Sequence, residues 1–585
     1  MRRSIALVAL LLGLSCATPA AAPRPGDVAI DSPTAPADLA FQQAAASLYQ
    51  EFLDQIPTAV FGGSLPVALG LHQYDGRLPD DSPHGLQSRA AFLARARAQL
   101  EAFPAAQLSP PSRLDRDVFV VRLRGAWFDL QVRRSPWLSP PYYLGGLALL
   151  NYASRDYAPL EQRARAVLEI CRGARGYLAT ARSNLEPKLA RPLLGFAVQM
   201  ISGQLAFAQN DVPRAFAGLT DARLKADLTA GLAELATELG AFRDDLKARM
   251  AAGTDVFALG EADFLRMLEE TEAVKIDLPS LEAAARKDLQ RNQHALAEAA
   301  HAFSDKSLPE ALAAANADRP AAAEVVGLAR QQVTSVRAFL QQHAIVTIPS
   351  DEQAEVRESP AFMRGNFAAI NQPGVFEPKP LPSFYFIAPP DPTWPEAEQR
   401  AYVPSAATLL FTTIHEVWPG HFLDRLHRVR LRSRITQSFG SYASNEGWAH
   451  YVEEMMWDEG IAGHDPRAHI AQLLQALMRD VRFLAAIGLH THGMTVAEAH
   501  QLFVTEAYQD AATARQQSLR GTIDPMYLNY TLGKLMILKL RADWRAKVGR
   551  GFDLRAFHDQ LLGYGDASLP LIRRAMLGED AGSVL

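Results

Sequence analysis

The chain has 585 residues, 48% of them hydrophobic, and a formal net charge of −5. That is ample material for a large core and enough length for several domains. The slightly acidic balance provides no broad basic field, which argues against nucleic acid as a partner. With only Cys16 and Cys171 present, a disulfide framework is excluded.

Met1-Arg2-Arg3 precedes an apolar run from Ile5 to Leu14 and then Ser15-Cys16-Ala17, which are the charged, apolar and small-residue regions of an export signal. The run is too short to span a bilayer. Residues 1–15 are therefore read as a signal peptide and Cys16 as a candidate lipid attachment point, with simple secretion as the alternative because Gly13 stands where a leucine is usual. Pro23 disfavours a cut after Ala22. Residues 16–36, rich in alanine and proline, read as a tether. Export without disulfides points to the bacterial cell envelope, as a periplasmic protein or an outer-membrane lipoprotein whose only membrane contact is the anchor.

From 37 to 343 the pattern is helical, with apolar residues at three- and four-residue steps; the clearest runs are Leu160 to Leu185, Leu219 to Met250 and Leu278 to Phe303. Pro136 to Tyr143 reads as a packed proline-aromatic connector. The texture changes at 344, where a second part, 344–585, begins. Ile345 to Ile348, Ala354 to Glu358 and Phe384 to Ile387 are short and β-branched or aromatic, and predict a small sheet. The proline-rich segment Pro389 to Pro404, with Trp394, reads equally as a cover for a cleft or as a linker.

His415-Glu416-Val417-Trp418-Pro419-Gly420-His421 follows. Zinc peptidases usually place two histidines four residues apart on one helix, with a glutamate after the first to polarise water. Here the second histidine comes six positions on, and at about 100° per residue a straight helix would put it on the opposite flank. Pro419 and Gly420 are the residue types that break a helix, and a kink there could return His421 to His415. Ser405 is the expected cap of the helix before the kink, with Leu409, Leu410, Ile414 and Val417 apolar. Phe422, Leu423, Leu426 and Val429 form the apolar face of the helix after it. A third ligand is needed, with the fourth position left to water, and the next candidate is Glu446 in Glu446-Gly447-Trp448-Ala449-His450-Tyr451. Glu446, His450 and Glu453 share one face of a further helix. Trp418 and Trp448 read as packing around the site, His450 as orienting Glu446 or its neighbours, and His427 as surface.

The motif His-Glu-x-x-Pro-Gly-His followed by Glu-Gly-Trp-Ala-x-Tyr resembles the bacterial family catalogued as domain of unknown function 885, whose members resemble glutamate-type zinc peptidases and are often lipoproteins. The resemblance extends to Leu259 to Phe264, Glu358 to Met363, Gly488 to His490 and Tyr530 to Lys534. It departs at Asp524-Pro525, where a Pro-Gly pair is expected. It implies a mainly α, multi-helical metallopeptidase-like fold with a small sheet beside the metal site and a deep cleft. It also implies zinc held by His415, His421 and Glu446, with Glu416 as general base and His490 and Tyr530 as donors to the oxyanion formed during hydrolysis. An edge strand would align a peptide substrate. Arg520 and Lys534 are candidates for holding a substrate carboxylate, arginine as a fork and lysine as a point charge. The function expected is zinc-dependent hydrolysis of short peptides. Two alternatives fit parts of the pattern: a non-haem iron oxygenase, which also uses two histidines and a carboxylate, and a non-catalytic envelope binding or scaffold lipoprotein.

Overall fold

A computed structural model describes residues 36–56, 58–59, 63–360, 367–390, 393–579 and 581–585. The signal peptide, Cys16, nearly all of the tether, Ala361 to Met363 and two residues of the Pro389 to Pro404 segment lie outside the described residues.

The fold is mainly helical. Among the long helices read from periodicity, α1 (Leu160–Asn184) and α2 (Ala222–Arg249) pack against each other. Asp221 starts α2 by accepting from the Arg223 and Leu224 N–H groups, which have no partner within the helix. After α3 (Glu261–Glu272) comes α4 (Leu278–Phe303), which runs along α9 (Pro466–Thr491), so a helix of the first part lines a helix of the second. One contiguous hydrophobic core extends from Phe41 to Met576 and joins both parts. Pro136 to Tyr143 is a packed connector as expected, although it winds into short helical turns, with Tyr143 buried and its hydroxyl donating to the Pro136 carbonyl.

Beyond α5 (Val325–His343) lies a three-stranded sheet: β1 (Ala354–Glu358), β2 (Ala368–Asn371) and β3 (Ser383–Ile387), in the order β1-β3-β2. β3 is central and buried along its whole length, as its unbroken aromatic and apolar run requires. β1 pairs with it in parallel, and β2 pairs antiparallel with Ile370 opposite Tyr385. The third strand is not Ile345 to Ile348, as the sequence suggested. There, side chains of a later helix take up the backbone groups: Asp559 accepts from the Thr347 N–H, and His558 donates to the Ile345 carbonyl. β2 takes the sheet edge instead.

Candidate metal centre

The motif spans two helices, α6 (Ala406–Glu416) and α7 (His421–Arg428). Ser405 caps α6 by accepting from the Thr408 N–H at 3.2 Å. The helix is seated by Leu409, Phe411 and Ile414, all fully buried, each worth about 1.5–3 kcal/mol. It ends at Glu416, after which the chain folds back on itself: the Gly420 N–H donates to the Ile414 carbonyl at 3.0 Å, and a Cβ on Gly420 would collide with the His415 carbonyl. Only glycine fits this approach. The Trp418–Pro419 peptide bond is cis. Trp448 secures the turn from the next helix, its indole N–H donating to the Pro419 carbonyl at 2.9 Å, while Trp418 is buried against Phe422.

That helix, α8 (Tyr442–Asp458), carries Glu446. It lies against α11 (Asn529–Val548) at Gly447 and Gly533, where a side chain on either residue would strike the opposite backbone. The two backbones therefore approach directly. Behind the start of α8 the buried Glu272 carboxylate accepts from Ser441 Oγ and from the Tyr442 and Ala443 N–H groups, meeting the unpaired donors of the helix terminus.

These contacts bring His415, His421 and Glu446 together. Glu446 Oε2 lies 3.4 Å from His415 Nε2 and 3.4 Å from His421 Nε2, and the three ligand atoms all fall within 4.8 Å of one another. Ligands at 2.0–2.1 Å around a tetrahedral zinc are spaced about 3.3 Å apart, so the two edges from Glu446 have the spacing of such a site. Glu446 Oε2 is buried without a hydrogen-bond partner, as an oxygen reserved for a cation would be. Burial raises the Glu446 pKa, but the two histidines outweigh it and hold the carboxyl well below its usual range. Burial lowers that of His415, and the Glu446 and Glu453 carboxylates beside it reverse the effect and lift it to about 9. The site strongly favours positive charge between its ligands.

The other nitrogen of His415, Nδ1, donates to Glu453 Oε1 at 2.7 Å, and Arg479 in turn holds Glu453 through contacts of 2.9 and 3.1 Å. This turns Nε2, the nitrogen that would take a metal, towards Glu446 and His421. The sequence placed Glu453 on the ligand face of α8 without a role; its position one heptad after Glu446 was the available signal. The orienting role expected of His450 falls to Glu453 instead. His450 is fully buried 4.0 Å from Glu453, with neither ring nitrogen hydrogen-bonded among the described residues.

Glu416 is anchored through Oε2, which accepts from the Ile370 N–H of β2 at 3.0 Å, so the edge strand does reach the motif. Tyr530, on α11, stacks on His415 with ring centroids 6.4 Å apart. Burial, then the Glu446 charge, raise its pKa. Arg520, on α10 (Ala511–Ile523), lies 5.7 Å from the same ring and is bound to Tyr442 and to Asp524. The Asp524 that departs from the family pattern thus provides the counter-charge of Arg520.

Two of the expected site residues are employed elsewhere. His490 is buried between Phe264 and Phe257, and its Nε2–H donates to the Gly521 carbonyl at 2.8 Å. A neutral imidazole has one N–H, and here it is committed, so none is left for an oxyanion. Burial depresses its pKa to about 4. Lys534 is fully buried and paired with Asp288 at 2.6 Å and Glu454 at 3.2 Å, tying α11 to α4 and α8 rather than facing a substrate. His427, read as surface, is half-buried and donates to the Thr347 carbonyl.

A family model described as a bacterial protein of unknown function, DUF885, matches residues 65–576. The chain belongs to this family. Two solved structures share the DUF885 chain's fold. One, described as "a putative lipoprotein of unknown function from Shewanella oneidensis", is 24% identical with a TM-score of 0.77, covering 92% of this chain and 99% of its own. The other, "the putative lipoprotein from Colwellia psychrerythraea", is 17% identical with a TM-score of 0.77, covering 92% and 98%. None of the curated proteins matches the sequence.

Proposed function

We propose that this DUF885 protein is a zinc-dependent peptidase of the cell envelope acting on short peptides. The observation that carries this reading is the placement of Glu446 Oε2 at 3.4 Å from both Nε2 atoms, with a carboxylate, Glu416, directly after the first histidine. His415, His421 and Glu446 would hold the metal, which when bound makes water acidic enough to lose a proton near neutrality and polarises a carbonyl.

Glu416 fits the general base. Its Oε2 is steadied by the Ile370 N–H, which leaves Oε1 to take a proton from water as the water oxygen bonds to the peptide carbonyl carbon. The same proton passes to the leaving nitrogen as the C–N bond breaks, giving a carboxylic acid and an amine. The Tyr530 hydroxyl, on the ring that stacks on His415, would donate to the oxyanion. β2, the sheet edge whose Ile370 meets Glu416, would align an extended substrate through backbone pairing. The envelope location rests on the export-type N-terminal sequence, with Cys16 as its anchor; among the described residues no helix is long and apolar enough to cross a membrane.

The test is metal content of the purified protein by mass spectrometry alongside turnover of a short-peptide library. About one zinc per chain is expected, lost in Glu446→Ala. Glu416→Gln should keep zinc and lose at least about 100-fold in turnover. Zinc-free protein after zinc is offered back, or full activity in Glu416→Gln, rejects the reading.

A further inference from the structure

Three arginines converge on the Tyr530 ring beside the trio: Arg482 at 4.8 Å, Arg479 at 5.7 Å and Arg520 at 5.7 Å. Two have counter-charges, since Arg479 is paired with Glu453 and Arg520 with Asp524. Arg482 has none. It is only 6% exposed, and its one hydrogen bond among the described residues runs from Nε to Gln517 Oε1 at 2.8 Å. The terminal nitrogens of the fork meet no carboxylate of the described residues. An uncompensated cation buried beside two others is costly, and contact with the Tyr530 face offsets only part of that cost. Burial, then Arg520, depress its pKa to about 10, so the group still carries its charge at neutral pH.

We infer that Arg482, assisted by Arg520, is a binding site for the free C-terminal carboxylate of a peptide, held beside Tyr530 and next to His415. Such a carboxylate supplies the missing counter-charge and matches the planar fork in a two-point contact. Tyr530 stacks on His415, so a chain end held there lies alongside the trio, and the bond presented for cleavage is close to the C-terminus. The inference rests on the peptidase reading for the word substrate, but the binding itself needs neither metal nor turnover.

The experiment uses the mature chain carrying Glu416→Gln, stripped of metal so that a carboxylate cannot ligate zinc. It is titrated calorimetrically with N-acetyl-alanyl-alanine, with the C-terminal amide of that peptide, and with N-acetyl-glutamyl-alanine amide. The free acid is expected to bind at least tenfold more tightly than its amide. Arg482→Gln should abolish that ratio, and Arg482→Lys should retain part of it. Equal binding of acid and amide in a protein that still melts cooperatively overturns the inference without reference to any variant. So does a ratio that survives Arg482→Gln, or a glutamyl amide that binds as tightly as the free acid, which would assign the site to an acidic side chain. A protein that discriminates acid from amide yet holds no zinc and cleaves nothing would reject the peptidase reading and leave this site standing.

Discussion

Nδ1 of His415 donates to Oε1 of Glu453 across 2.7 Å, linking the end of α6 to the middle of α8 from behind the trio. The bond decides which nitrogen of the ring can face a metal and adds basicity to it. Glu453→Gln keeps the size of the side chain but removes its charge, and should weaken zinc binding 10- to 100-fold. Chelator competition measures this, and an unchanged zinc affinity would mean that Glu453 does not tune the site.

Gly420 is the position on which the return of His421 depends. Gly420→Ala puts a methyl group against the His415 carbonyl, so the backbone must move. A loss of at least about 2 kcal/mol of stability is expected, together with loss of bound zinc. Thermal melts and metal analysis on the same sample check both; retention of zinc at wild-type stability would show that the turn relaxes around the methyl.

Lys534 separates a structural role from a substrate role. In Lys534→Met the carboxylates of Asp288 and Glu454 lose one of the two cations they share and keep Arg291, and a cost of about 3 kcal/mol is expected in denaturant unfolding. In the folded fraction KM should stay within a few-fold of wild type. A large rise in KM without loss of stability would return Lys534 to the substrate site.

His490 and His558 are buried as neutral rings, with pKa values depressed by burial to about 4 each. A depressed pKa means that the unfolded chain protonates first. The stability contributed is therefore complete above pH 6.5 and is lost as pH falls towards 4, by about 3 kcal/mol per group. His490→Gln should flatten one share of that fall and leave peptide turnover at neutral pH within a few-fold. Unfolding curves at several pH values test the first claim. A turnover loss as large as that of Tyr530→Phe would contradict the second.

Much of the helical frame was legible in the sequence because its information is local. The apolar spacing of Leu278 to Phe303 returned the helix at the same bounds, and Ser405 announced the start of α6 through its cap. Pro419-Gly420 likewise announced the break that brings His421 round, and the trio predicted as ligands is the one that converges. Periodicity failed where pairing partners decide. Ile345 to Ile348 has strand-like residues, but Asp559 and His558, more than 200 positions away, occupy its backbone groups. Charge was the least legible property. A lysine, a histidine or an arginine is the same letter whether it faces a substrate or is neutralised behind a helix, and only packing distinguishes Lys534, enclosed by acids, from Arg482, which meets none among the described residues. Residue types and spacing thus determined which groups could bind a metal. The tertiary structure decided which charges were already satisfied, because that depends on neighbours contributed by distant segments of the chain.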